Sequence, residues 1–162
     1  MGNGFSYKCG KCGQEYSGLL GIGMMFPVRY KEIVDLINKG QYGAEWKDLY
    51  NSNPHAAVDA EKFVYSCSEC NAWKIEECLS LYEACTDRGI KEVETGYALI
   101  HKMRMPGVDD TKDFKLIKSY VHTCDRCGSR MHKADQTEIE RLTCPYCGGE
   151  QDMSFRQMIC WD

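Results

Sequence analysis

The stretch Thr143 to Gln151, TCPYCGGEQ, sets Cys144 and Cys147 two residues apart with a proline between them. Alone, the pair reads equally as a redox dithiol or as half of a metal clamp. The spacing recurs at Cys9/Cys12, Cys67/Cys70 and Cys124/Cys127, while Cys78, Cys85 and Cys160 stand outside any pair. A redox C-P-Y-C needs a strand before it, a long helix after it and a βαβ surround. Only fifteen residues follow Cys147, opening Gly-Gly-Glu-Gln and continuing as an aromatic-rich run that reads as strand. The dithiol reading also leaves three pairs unexplained. Metal prevails.

Two cysteines two residues apart wrap a tight turn and aim both sulfurs at one ion. Two such turns supply the four thiolates of a tetrahedral Zn²⁺ site, with Zn–S near about 2.3 Å. Sixteen residues separate Cys127 from Cys144, within the range of a zinc ribbon, whereas fifty-four separate Cys12 from Cys67. The sequence expectation joins the third pair to the fourth and the first to the second, a helical insertion absorbing the excess. Four pairs can join in twos in three ways, so this pairing rests on spacing alone. With every position around each ion filled by sulfur, the metals are expected to be structural rather than catalytic.

Three pairs share their surroundings, FSYKCGKCG, FVYSCSECN and YVHTCDRCG, each led by an aromatic or β-branched run, as a strand would be. In YKCGKCGQEY, SYVHTCDRCGS and LTCPYCGG a glycine follows the second cysteine. These segments, about half the chain, resemble the zinc-ribbon and rubredoxin-like superfamily and small bacterial zinc-ribbon proteins. The resemblance implies Zn²⁺, or iron as in the rubredoxins, held between two β-hairpins. It carries no activity, since ribbons serve many roles. Asn71 stands where the others have glycine.

Between the first two pairs Pro27 suits a first helical position, and Tyr30, Ile33, Val34 and Ile37 recur on one face. Asn38-Lys39-Gly40 ends that helix. A second helix follows with Tyr42, Trp46, Leu49 and Tyr50 on one face, stopped by Asn51 to Pro54. WKIEECLSLY after Cys70, GYALIHKM (96–103), DFKLIKSYV (113–121) and SFRQMICW read as strands, with a hairpin loop at 104–112. The expected fold class is α+β: two four-cysteine zinc ribbons of short antiparallel strands, with a helical hairpin inserted in the first. The expected domains are 1–89, carrying the insertion at about 27–52, and 90–162.

The formal net charge of −4 and pI near 5.6 do not describe a general nucleic-acid binder. No apolar stretch approaches the ~18 residues of a membrane span. MGNGFSYKCG lacks a basic segment followed by an apolar core, so a cytoplasmic location without membrane association is expected. In a reducing compartment, eleven cysteines point to bound metal before disulfides.

Five bases, Lys115, Lys118, Arg126, Arg130 and Lys133, face Asp125 alone between Phe114 and Ala134, with Tyr120 and His122 beside them. They form a possible strip for RNA or DNA phosphates. The bland reading, preferred here, is that they offset the two negative charges of each tetrathiolate zinc centre. Cys124-x2-Cys127-x4-His132 opens like a nucleic-acid-binding knuckle, but the next ligand position is Thr137, leaving His132 as an exposed strand residue. Cys78 and Cys85 read as buried thiols. Glu76-Glu77, Asp109-Asp110-Asp113 and Glu138/Glu140 read as solvated acids. No metalloprotease, P-loop or nucleophile-elbow motif occurs.

The expected function is a non-enzymatic zinc-binding module for a protein partner, with two structural Zn²⁺ ions (iron remaining open). The acidic total and the methionine-rich run LLGIGMMF (19–26) motivate it. The alternative is RNA or DNA binding through the 114–134 strip. A third possibility, an enzyme, would need a perturbed Cys85 or His101 in a cleft.

Overall fold

The computed structural model of the chain describes residues 2–23, 25–100 and 112–161. Those residues form nine strands and four helices, a mixed α+β architecture with small antiparallel sheets. The chain divides into two compact units, each assembled from separated segments. Unit 1 is Met1–Met24, Glu61–Glu77 and Val121–Asp162, and unit 2 is Met25–Ala60 and Cys78–Tyr120.

Unit 1 holds two three-stranded sheets. In the first, β1 (Gly2–Cys9) lies between β2 (Glu15–Leu20) and β9 (Gln151–Trp161), antiparallel to both. In the second, β4 (Lys62–Ser66) lies between β5 (Trp73–Glu77) and the short β8 (His132–Lys133). Alternation along β1 buries Phe5, Tyr7 and Cys9 on one face. Phe5 and Tyr7 join Val64 of β4, Ala134 and Leu142 in one core, flanked by Tyr16, Trp73 and Ile75. The neighbouring β4 residue, Tyr65, points the other way, into a second cluster with Cys67, Cys124 and Met131. Gly18 of β2 lets this packing close in: a Cβ there would come within 2.1 Å of Ile75 Cδ1, and that side-chain end would have to move. The short α4 (Gln136–Glu140) starts with a reciprocal capping box between Asp135 and Glu138.

Unit 2 contains α1 (Phe26–Asn38), α2 (Ala44–Asn51), α3 (Asp87–Glu94) and the sheet β3 (Ala56–Val58), β6 (Leu81–Ala84), β7 (Phe114–Lys118). Pro27 sits in the first turn of α1, where its missing N–H costs nothing, and Tyr30, Ile33 and Ile37 are buried at the expected spacing. Trp46 of α2 is buried, and its indole N–H donates to the Leu79 carbonyl at 2.8 Å.

Several expectations change here. The division of the chain does not fall near residue 89, where α3 lies; the Thr86 hydroxyl caps that helix by accepting from Gly89 N–H. The helices α1 and α2 belong to unit 2, which contains none of the paired cysteines, rather than to a ribbon. Gly96–Ile100 carries no strand, and 101–103 and 104–111 of the expected strand and loop lie outside the described residues. The single strand expected over WKIEECLSLY (73–82) is instead broken at Leu79, whose φ is 62°, into β5 and the start of β6 in different sheets, while the strands expected at 113–121 and at the C-terminal end appear as β7 and β9.

Candidate metal centres

Four knuckles of one construction carry the eight paired cysteines. In each, the N–H of the residue after the second cysteine donates to the carbonyl of the first: Gly13 to Cys9, Asn71 to Cys67, Gly128 to Cys124 and Gly148 to Cys144, at 2.8–2.9 Å. The first cysteine's own N–H donates to the carbonyl five residues on, at Gln14, Ala72, Ser129 and Gly149. This turn needs a left-handed residue after the second cysteine. Gly13, Gly128 and Gly148 supply it with φ of 72°, 73° and 66°, and Asn71 with 55°. The departure at Asn71 is thus conformationally equivalent, asparagine being the side chain that best tolerates this region.

The sulfurs meet in two quartets, Cys9, Cys12, Cys144 and Cys147 (the outer site) and Cys67, Cys70, Cys124 and Cys127 (the inner site). Within each, all four Sγ atoms lie within 4.8 Å of one another. Across the outer site Cys9–Cys147 and Cys12–Cys144 are 3.6 and 3.7 Å apart. Across the inner site Cys67–Cys127 and Cys70–Cys124 are both 3.5 Å apart. A disulfide would place sulfurs near about 2.05 Å. A tetrahedron with metal–sulfur bonds of about 2.3 Å places them about 3.8 Å apart. The donor set and spacing fit a four-sulfur metal ion and are compatible with zinc-ribbon-like knuckles.

The pairing is nested, first with fourth and second with third, which corrects the expectation from spacing. Strand pairing decides it. β9, leaving the fourth knuckle, pairs with β1 entering the first, from Cys9↔Gln151 onward, while β8, after the third, pairs with β4 entering the second. The sixteen residues between the third and fourth knuckles are not a ribbon connection, because they hold β8 and α4.

Around the outer site the Tyr16 hydroxyl lies 2.9 Å from Cys144 Sγ. Gly149 leaves room for the cage: a Cβ there would sit 2.6 Å from Lys11 Cβ and 2.9 Å from Cys9 Sγ. Among the described residues the buried Tyr7 hydroxyl has no hydrogen-bond partner, and its ionisation is disfavoured by burial and then by the Cys144 and Cys9 thiols. Burial opposes ionisation of Cys144, but hydrogen bonds from Tyr16 and from the Cys147 and Tyr146 N–H groups outweigh it and hold the thiol down to about 6. In the inner site the Ser129 hydroxyl and N–H bring Cys127 to about 6. The Gln14 N–H favours the Cys12 thiolate, yet burial and the neighbouring sulfurs push it up to about 12. Cys70 behaves alike against the Ala72 N–H.

The five bases of the strip are divided between the two units. Lys115 and Lys118 lie on β7 of unit 2, whereas Arg126, Arg130 and Lys133 belong to unit 1. Lys118 pairs with Glu45, Lys133 stands 3.0 Å over the Phe63 ring, and Arg126 donates to the Pro145 carbonyl at 2.6 Å. His132 is the exposed strand residue expected, hydrogen-bonded to Glu138 at 2.7 Å. Among acids read as solvated, Glu77 and Asp113 are buried, Glu77 beside Lys62 and Asp113 accepting from Thr86 Oγ1 at 2.6 Å. Cys78 is half-buried, and burial, with Asp59 next, raises its thiol; Cys85 is exposed rather than buried. Neither enters a quartet. His101, Asp109 and Asp110 and the Cys160 side chain lie outside the described residues.

Sequence reading missed α3 and α4; the capping pattern Asp135-x-x-Glu138 was the available signal for α4. Among the described residues no helix is long and apolar enough to cross a membrane. The site defines the class: a chain with two tetracysteine clusters that could each hold a metal ion, compatible with zinc-ribbon-like knuckles. No family model, curated protein or solved structure matches it.

Proposed function

We propose that the chain is a non-enzymatic zinc-binding protein in which two structural tetrathiolate zinc centres hold unit 1 in shape as a module for a protein partner. The observation that carries this reading is the pair of four-sulfur quartets at tetrahedral spacing. Four thiolates leave no open coordination position for water or substrate. Zinc meets this demand without redox chemistry, and its binding energy, about 10–16 kcal/mol per structural site, is folding energy for a unit with a small core. When bound, the metal supplies this cross-linking; the chain's own hydroxyl and N–H groups orient and partly neutralise the sulfurs.

The nucleic-acid reading has less support. Three of its five cations are engaged with Glu45, Phe63 and Pro145. Unit 1 also carries nine basic against twelve acidic residues, before the two negative charges of each metal centre are added. Among the described side chains of unit 1, the large apolar ones exposed to a partner are Leu19, Val121 and Tyr146. The test is metal content with chelation: about two zinc ions per chain are expected, and loss of unit 1 structure when they are removed. Binding to a partner that survives high salt supports the interaction reading. Binding to single-stranded RNA or DNA that falls steeply with salt, and weakens in Lys115→Ala or Arg130→Ala, overturns it.

A further inference from the structure

The two quartets are not mechanically separate. Arg126 lies inside the third knuckle, between two ligands of the inner site, and its Nη2 donates at 2.6 Å to the carbonyl of Pro145, which lies between two ligands of the outer site. A second tie runs parallel: Trp73, three residues past Cys70, donates its indole N–H at 2.8 Å to the carbonyl of Thr143, the residue before Cys144. Trp73 also packs on Phe5 and on Tyr7 and Tyr16, the two tyrosines that interact with outer-site cysteines.

The nesting adds a chain-entropy argument. The inner quartet joins Cys70 to Cys124 across 54 positions, whereas the outer joins Cys12 to Cys144 across 132. Closing the longer loop first is about fourfold less probable. Closing the inner loop removes its residues from the outer one and makes the outer closure roughly two- to threefold easier. Arg126 and Trp73 then meet carbonyls that belong to the outer knuckle and hold it in place for its ion.

Resting on the metal reading above, we propose that the two sites load cooperatively and in order, the inner quartet first, with Arg126 as the positioning residue that transmits inner-site occupancy to the outer site. Arg126 touches no metal in this scheme. It acts through the Pro145 carbonyl, on the turn that aims Cys144 and Cys147. By linkage the coupling is reciprocal, so an occupied outer site also tightens the inner one.

The experiment is a titration of the reduced, metal-free full chain with Co²⁺ under anaerobic conditions, with native mass spectrometry counting the zero-, one- and two-metal species. Cysteine alkylation of the one-metal species then shows which sulfurs are protected. The proposal expects one-metal chains to stay well below half of the total at midpoint, corresponding to about tenfold coupling, with Cys67, Cys70, Cys124 and Cys127 protected. Arg126→Ala should reduce the coupling about fivefold, and Arg126→Lys, which keeps a donor, should recover part of it. Cys9→Ser, which disables the outer site, reports inner-site affinity alone; that affinity should be nearly the same with and without Arg126→Ala, which separates transmission from general damage. One-metal chains reaching half the total, protection of the outer cysteines first, or coupling unchanged in Arg126→Ala would overturn the proposal while leaving two metal sites intact. Failure to bind any metal overturns the metal reading itself.

Discussion

The phenolic oxygen of Tyr16 lies 2.9 Å from Sγ of Cys144, a residue 128 positions further along the chain. Tyr16 is on β2, across from Tyr7 on β1, so the β1–β2 hairpin that presents Cys9 and Cys12 also presents a donor to the opposite knuckle. A phenol donating to a metal-bound thiolate spreads its negative charge and fixes its direction. The inner site has a smaller counterpart in Ser129 beside Cys127.

Tyr16→Phe keeps the ring and removes this donor. We expect outer-site zinc affinity to fall about tenfold, at the lower end of the usual effect of second-sphere changes, with the inner site little affected. Tyr7→Phe is the contrast, since its buried hydroxyl has no partner among the described residues; its removal should leave stability unchanged or raise it by about 1 kcal/mol. Competition with a chromophoric chelator measures the first effect and thermal unfolding of the zinc-loaded chain the second. Equal behaviour of the two variants would contradict the assignment.

Gly149→Ala should be selectively damaging to the outer site. Its methyl would meet Lys11 Cβ and the sulfurs of Cys9 and Cys147. The expected outcome is one retained metal per chain instead of two, read by elemental analysis after dialysis against a mild chelator.

Asn71→Gly should be tolerated, with the inner site fully loaded, because glycine adopts the left-handed conformation freely. Asn71→Val should cost about 1–2 kcal/mol for the same backbone and lower inner-site affinity correspondingly. Parallel metal titrations of the two variants check the ordering.

Acid should empty both sites, and the pKa shifts give the range. Cys127 and Cys144 sit near 6 against an ordinary 9.0, so their contribution is fully present above about 9 and is lost as pH falls through about 6. Cys12 and Cys70, pushed up to about 12, retain protons at neutral pH that an incoming ion must displace. Zinc loading at pH 8 should therefore release protons, measurable by calorimetry in buffers of different ionisation enthalpy. Zinc release on acidification should steepen below about pH 6.

The eight paired cysteines and the first two helices were legible in the sequence because each rests on local spacing: two residues within a knuckle, three and four along α1. The joining of knuckles was not, because it is set by strands that pair across the chain. Cys9 meets Gln151 and Ser66 meets His132, and nothing local marks either partner. The knuckle separation of sixteen residues looked decisive, yet Asp135 and Glu138 start a helix within it. The units were hidden for the same reason, since each collects segments from both sides of the other. Glu77 and Asp113 are buried through partners such as Lys62 and Thr86 that only the fold brings near.

The most direct test of the account is alkylation protection of the native, zinc-loaded Cys9→Ser chain, mapped residue by residue. Nested quartets predict one bound ion, with Cys67, Cys70, Cys124 and Cys127 protected and Cys12, Cys144 and Cys147 reactive. Reactive Cys12, Cys67 and Cys70 with the third and fourth knuckles still protected would contradict the nesting, and a folded chain without bound metal would contradict the central claim.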